Sequence, residues 1–119
     1  MTPPRNIMIA DDDSDILDMV GSMLEFAGYQ VTHSPTVEMA LSARNPPDLF
    51  LLDIWIAGKD GREVCRQLKS NQQTSHIPII LFSASKGIER SAREAGADDF
   101  LTKPFQMTDL LQKIERLIS

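Results

Sequence analysis

The sequence predicts an α/β fold in which a doubly wound parallel sheet carries helices on both faces. Three observations predict it. Five short apolar runs recur along the 119 residues: Ile7–Ala10, Tyr29–Val31, Leu49–Leu52, Ile77–Phe82 and Phe100–Leu101. The segments between them show the i, i+3, i+4, i+7 spacing of amphipathic helices. The third and fourth runs are almost unbroken in apolar character, as in strands buried on both faces of a parallel sheet. Strand and helix thus alternate five times, a (βα)5 order that builds an open sheet covered on each side.

Each element follows in order. Ile7–Ala10 runs out into Asp11-Asp12-Asp13, and Ile16, Leu17, Val20, Met23, Leu24 and Ala27 then mark one helical face. Gly28 stands where a left-handed C-terminal cap belongs. After Tyr29–Val31, Ser34-Pro35 reads as an N-cap followed by proline at the first helical position. Val37, Ala40 and Leu41 supply that second helix with an apolar face, and Pro46-Pro47 forbids its continuation. Leu49–Leu52 delivers Asp53, and Val64 and Leu68 mark a third helix. Ile77–Phe82 ends at Ser83-Ala84, and a short fourth helix closes at Gly96 after Ala95. Phe100–Leu101 exits through Thr102-Lys103-Pro104 into a last helix striped by Met107, Leu110, Leu111, Ile114, Leu117 and Ile118.

Composition bounds the function. Seventeen acidic against 12 basic residues give a net charge of −5, which argues against a nucleic-acid surface of clustered Lys and Arg. The single cysteine, Cys65, excludes an internal disulfide framework and suits a reducing, cytoplasmic setting. Apolar runs all fall short of the roughly 20 residues of a membrane span, and the start MTPPRN lacks a signal-peptide pattern. A chain of this length is expected to form one domain over residues 1–119, with a core of about 6–118.

In an open parallel sheet, ligands bind beyond the carboxyl ends of the strands. Asp11, Asp12, Asp13, Asp53, Ser83 and Lys103 all fall there. Two carboxylates about 4 Å apart repel by roughly 4 kcal/mol at an effective dielectric of 20. Such a cluster takes up a proton or recruits a cation, and a few hard oxygen ligands suit Mg²⁺ better than zinc. Taken singly, aspartates before a helix are caps, a serine after a strand is a turn residue and Lys-Pro is an ordinary strand exit. Independent caps have no reason to fall at successive strand ends in this order.

Ile9-Ala10-Asp11-Asp12-Asp13, Leu51-Leu52-Asp53 with Asp60-Gly61 following, Ser83-Ala84, and Gly96-Ala97-Asp98-Asp99-Phe100-Leu101-Thr102-Lys103-Pro104-Phe105 together resemble the receiver domain of bacterial two-component response regulators. The resemblance covers roughly Asn6 to Ile118. It implies a flavodoxin-like sheet of strand order 2-1-3-4-5 and a phosphorylation-dependent signalling switch, not a turnover enzyme. By the same resemblance Asp53 is the phosphoacceptor, and Asp11, Asp12, Asp53 and the Trp55 backbone carbonyl hold Mg²⁺. Ser83 and Lys103 meet the phosphoryl oxygens, and Ser83 and Phe100 are the switch residues. The implied partners are a sensor histidine kinase or phosphotransfer protein and a downstream protein, with no direct nucleic acid or membrane contact. The expected state is a monomer or a weak phosphorylation-dependent dimer. With no output segment after Ser119, the chain is expected to be a stand-alone receiver or a piece of a longer protein.

Three departures from the family pattern stand out. Ala57 replaces the proline common four residues after the acceptor, so that loop is expected to be less rigid. Trp55 is bulky for its position and is expected either to shield the acyl phosphate from water or to pack on a neighbouring loop. Phe100 replaces the frequent tyrosine, and the 13 positions from Ser83 to Gly96 are about two fewer than the family's, which shortens the fourth loop or helix. His33 and His76 have no ligand spacing, Cys65 reads as a small helix residue, and Arg90, Arg93 and Glu94 as a solvated face. Two rival functions exist. A haloacid-dehalogenase-like phosphatase would use Asp11 as nucleophile and Asp13 as acid/base, but the Gly-Thr expected after that motif and room for a cap are missing. A phosphorylation-independent binding module of receiver shape would not need the acidic set.

Overall fold

The computed structural model describes residues 4–34 and 46–118. Successive side chains of a strand point to opposite faces, so an apolar run buried on both sides feeds two cores. The sheet is built this way from β1 (Asn6–Ala10), β2 (Gln30–Ser34), β3 (Leu49–Asp53), β6 (Ile79–Ser83) and β7 (Asp99–Thr102). All pairings are parallel, in the order β2-β1-β3-β6-β7. That is the expected 2-1-3-4-5 once β4 (Trp55–Ile56) and β5 (Lys59–Asp60), a separate antiparallel hairpin, are set aside.

The described helices are α1 (Ser14–Phe26), α2 (Gly61–Ser70), α3 (Glu89–Glu94) and α4 (Met107–Ile118). On one face Ile7, Ile9, Leu51, Ile80 and Phe82 pack with Leu17, Val20 and Leu24 of α1 and Leu110 and Ile114 of α4. On the other, Met8, Ala10, Phe50, Leu52 and Leu81 pack with Val64, Cys65 and Leu68 of α2 and with Ala92 of α3. Both faces of the central strands β3 and β6 are therefore dry, which accounts for their nearly continuous apolar runs.

Several boundaries differ from the sequence reading. β2 continues through His33 to Ser34, so the predicted N-cap is the last residue of a strand. The helix expected after it, with Val37, Ala40 and Leu41, lies outside the described residues. β6 starts at Ile79 rather than Ile77, beyond Pro78, which has no N–H to give a ladder. Gly28 adopts φ of 101°, the left-handed cap predicted for it, and Gly96, predicted to close its helix, does so with φ of 93°.

Candidate functional site

β1, β3, β6 and β7 all point their carboxyl ends at one edge, and the polar residues that follow them meet there. The acidic run divides by local geometry. Asp13 is the N-cap of α1, its carboxylate accepting the N–H groups of Asp15 and Ile16 at 3.0 and 3.3 Å. Asp11 turns inward and is fully buried; Oδ1 accepts the Asp13 N–H at 3.0 Å, and Oδ2 accepts the Lys103 ammonium at 3.1 Å. Asp12 is exposed and accepts the Ala57 N–H at 2.9 Å.

Asp53 ends β3 opposite Phe82 of β6, and its carboxylate is 3.6 Å from Lys103 Nζ. Its pKa is pushed up from the usual 3.8 to about 6. Burial is the main cause, with the Asp11 carboxylate adding to it, against the opposing pull of Lys103 and of a hydrogen bond from the Trp55 backbone. Oxygens of Asp11, Asp12 and Asp53 lie within 4.8 Å of one another. Among the described residues the Lys103 ammonium is the cation paired with Asp11 and Asp53, and the three carboxylates together outweigh it in charge. The donors are all hard oxygens, one of them on a solvent-exposed side chain, and this set fits a small divalent cation such as Mg²⁺.

Ser83 ends β6, is buried, and accepts the Ser85 N–H on its hydroxyl at 3.0 Å. Its carbonyl accepts the Lys103 N–H at 2.7 Å, which fixes the start of the lysine beside the serine. The Lys103–Pro104 peptide is cis. Trp55 is 55% exposed. Phe100 is half-buried against the core on the α2 and α3 side.

Sequence reasoning missed four features. Gly61 is required because α2 starts directly against the end of β3: a Cβ there would collide with the Asp53 backbone carbonyl. Phe82 places its ring 4.6 Å from Lys103 Nζ. Asp98 accepts from the Ile79 N–H and from Lys69, tying β6 to α2, and Asp99 is ion-paired with Lys113 and Arg116. Acidic residues in the fifth-strand motif were the available signal, but their partners are remote in sequence. Cys65 is buried in α2 with its thiol pushed up to about 11 by that burial, so it is no nucleophile. The charged face of α3 is solvated and pairs within itself, Arg90 with Glu94 at 3.1 Å and Arg93 with Glu89 at 2.7 Å.

A doubly wound sheet with a buried aspartate, an exposed aspartate, a strand-end aspartate and a lysine at one edge defines a class of signalling domain. The chain belongs to the response regulator receiver domain family, whose model matches residues 7–115. It is 37% identical over 119 residues to the DNA-binding dual master transcriptional regulator RpaA of Synechocystis sp., covering 97% of this chain and 49% of that protein. It is 36% identical over 119 residues to the phosphate regulon transcriptional regulatory protein PhoB of Pseudomonas aeruginosa, covering 96% and 52%. The chain spans about half the length of these curated relatives. Among solved structures it resembles the receiver domain of the sensor histidine kinase PA1611 of P. aeruginosa, which holds a magnesium ion in its active site cleft. That match has a TM-score of 0.87 at 26% identity and covers 97% of this chain and 98% of the other. A CheY-like receiver domain protein of Methanospirillum hungatei aligns with a TM-score of 0.86 at 30% identity, covering 95% and 92%. The phosphatase alternative loses its acid/base, since Asp13 is engaged in capping α1 and stands outside the carboxylate cluster. Among the described residues no helix is long and apolar enough to cross a membrane.

Proposed function

We propose that Asp53 accepts a phosphoryl group from the phosphohistidine of a sensor histidine kinase or phosphotransfer protein. In this reading residues 1–119 form one receiver domain, acting in the cytoplasm, whose affinity for a downstream protein changes on phosphorylation. The observation that carries it is the convergence of the Asp11, Asp12 and Asp53 oxygens within 4.8 Å, with Lys103 3.6 Å from the acceptor.

Asp11, Asp12, Asp53 and the Trp55 backbone carbonyl would hold Mg²⁺, which when bound neutralises charge on the transferring oxygens. The chain's own residues do the rest. A carboxylate oxygen of Asp53 bonds to phosphorus as the P–N bond to the donor breaks, and the leaving imidazole nitrogen keeps the electron pair and takes a proton. The Lys103 ammonium, already between Asp11 and Asp53, turns to the phosphoryl oxygens. Ser83 receives the Ser85 N–H on its oxygen, which leaves its own proton to donate to the same group. The acyl phosphate adds roughly two negative charges and three acceptor oxygens. Ser83 and the loop after it move toward that charge, and the half-buried Phe100 ring rotates inward behind them. Trp55, exposed beside the acceptor, shields the acyl phosphate from water. The domain catalyses only its own phosphorylation from the donor and the hydrolysis of its acyl phosphate, and is a switch, not a turnover catalyst.

The test is Mg²⁺-dependent labelling by a small phosphodonor, followed by a chase. Wild type is expected to take label and Asp53→Asn to take none, while Trp55→Asn takes label and sheds it faster. Label held at an unchanged level in Asp53→Asn overturns the acceptor assignment, and an unaltered chase in Trp55→Asn overturns the shielding role.

A further inference from the structure

Lys103 reaches the acidic cluster on a long side chain with several rotatable bonds, and carboxylates alone leave its ammonium a choice of arrangements. The structure adds a third contact. Lys103 Nζ lies over the Phe82 ring, 4.6 Å from the centroid, while it is 3.1 Å from Asp11 and 3.6 Å from Asp53. The face of an aromatic ring is the negative end of its quadrupole and attracts a cation, most strongly where water is excluded. Water is scarce here: the Phe82 side chain is fully buried, and the lysine side chain is 19% exposed. Phe82 is itself held on two sides. Its backbone pairs with Asp53 across the β3–β6 ladder, and the Phe105 ring stands at 80° to it with centroids 6.2 Å apart. The acceptor and the ring that holds its lysine are thus cross-strand neighbours, so their separation is set by the ladder.

We infer that Phe82 is a positioning residue of this site, its ring face fixing the Lys103 ammonium where it meets both Asp11 and Asp53. An aliphatic residue at this position would fill most of the core volume and offer the ammonium no negative ring face. The inference deepens the phosphoacceptor reading and rests on it for its consequence, because the ammonium so held is the one that meets the phosphoryl oxygens.

The test separates electrostatics from packing by placing mono-, di- and trifluorinated phenylalanine at position 82, which drains the ring face of negative potential with little change of shape, alongside Phe82→Leu. Two readouts are taken. In the metal-free wild type, NMR of the Lys103 ε-methylene is expected to show an upfield ring-current shift that Phe82→Leu abolishes. With Mg²⁺ present, beryllofluoride affinity, followed by Trp55 fluorescence, is expected to fall step by step with fluorination, by about 3- to 10-fold across the series. A wild-type ε-methylene at its ordinary position, or an affinity flat across the fluorinated series, overturns the inference. A wild type that neither binds beryllofluoride nor takes phosphoryl label fails the phosphoacceptor reading instead. The ε-methylene shift and its loss in Phe82→Leu then decide whether the ring holds the ammonium.

Discussion

Asp12 and Ala57 are 45 positions apart and meet through one hydrogen bond, the Ala57 N–H donating to Asp12 Oδ2 at 2.9 Å. The bond explains a departure from the family pattern. Proline, common at that position, has no N–H to donate and is locked near φ −65°, whereas Ala57 sits at φ 51° ahead of Gly58 at 80°. Two consecutive positive φ values make a primed hairpin turn, which joins β4 to β5 and favours Asn-Gly. The loop without proline is a closed turn whose Ala57 N–H is held by the Asp12 carboxylate. An alanine in the left-handed region costs about 1 kcal/mol, and asparagine tolerates that region better. Ala57→Asn is expected to recover about 1 kcal/mol, raising Tm by about 4 °C. Ala57→Pro is expected to cost about 3 kcal/mol and to weaken Mg²⁺ binding, since Asp12 loses its donor. Thermal melts with and without Mg²⁺ measure both, and Ala57→Asn melting no higher than wild type would show the turn to be unstrained.

At the scale of elements, the short stretch between Ser83 and Gly96 contains α3, which has six residues and no side-chain hydrogen bond at its N-cap, Ile88. A helix so short is not stable by itself. It is held by Ala92 and Ala95 in the core and by a tether from α2. Arg62 grips the Asp60 carboxylate with Nε and Nη2, at 2.9 and 2.8 Å, and gives Nη1 to Ser91 Oγ at 3.1 Å. The same pairing holds the Asp60 carboxyl below its ordinary pKa. Hydrogen exchange is expected to be faster in α3 than in α1, α2 or α4. Arg62→Ala should accelerate α3 about fivefold, the worth of roughly 1 kcal/mol, and leave α4 unchanged. Equal acceleration in both helices would mean global loosening and no tether. The same elements show what a sequence can display. β3 and β6 were legible because burial on two faces writes an unbroken apolar run, and α4 because burial on one face writes a stripe. The β4–β5 hairpin was not, since strands of two residues have no period. Asp11, Asp12, Asp53, Ser83 and Lys103 were legible as polar residues ending apolar runs. Asp13 looked the same as its neighbours until backbone geometry made it a cap. Phe82 was hidden for the opposite reason: an aromatic in an apolar run looks like core until the lysine is set on its ring.

Over the whole molecule, the charge of −5 is spread unevenly, and the unevenness makes stability depend on pH and metal. In the native state the Asp53 carboxyl titrates at about 6, raised by burial and by Asp11; in the unfolded chain it titrates near 4. Between those values the native protein keeps a proton that the unfolded chain has lost. Stability contributed by this group therefore falls as pH rises from about 4 to 6, and the deficit is complete above 6. Asp60 and Asp99 act in the opposite sense. Arg62 lowers the first; the second is lowered although burial pushes it up, because hydrogen bonds from Lys113 and the Phe100 N–H outweigh burial. Their stabilisation is lost as pH falls below about 4. The metal-free protein is thus expected to owe these three groups a stability maximum on the acid side of neutrality. Asp53→Asn removes the deficit, and at pH 7.5 without metal it is expected to be more stable than wild type by on the order of 2 kcal/mol. The gap should close near pH 4, where wild-type Asp53 is protonated in both states. Saturating Mg²⁺ should reverse the order at pH 7.5, because a ligand of the native state stabilises it in proportion to its affinity and only wild type offers the third carboxylate. Melts of both proteins from pH 4 to 8, with and without Mg²⁺, carry the test. A variant no more stable than wild type in the metal-free melt at pH 7.5 would show that the three carboxylates do not strain the fold, and a wild type that gains nothing over the variant from Mg²⁺ would remove Asp53 from the cation site.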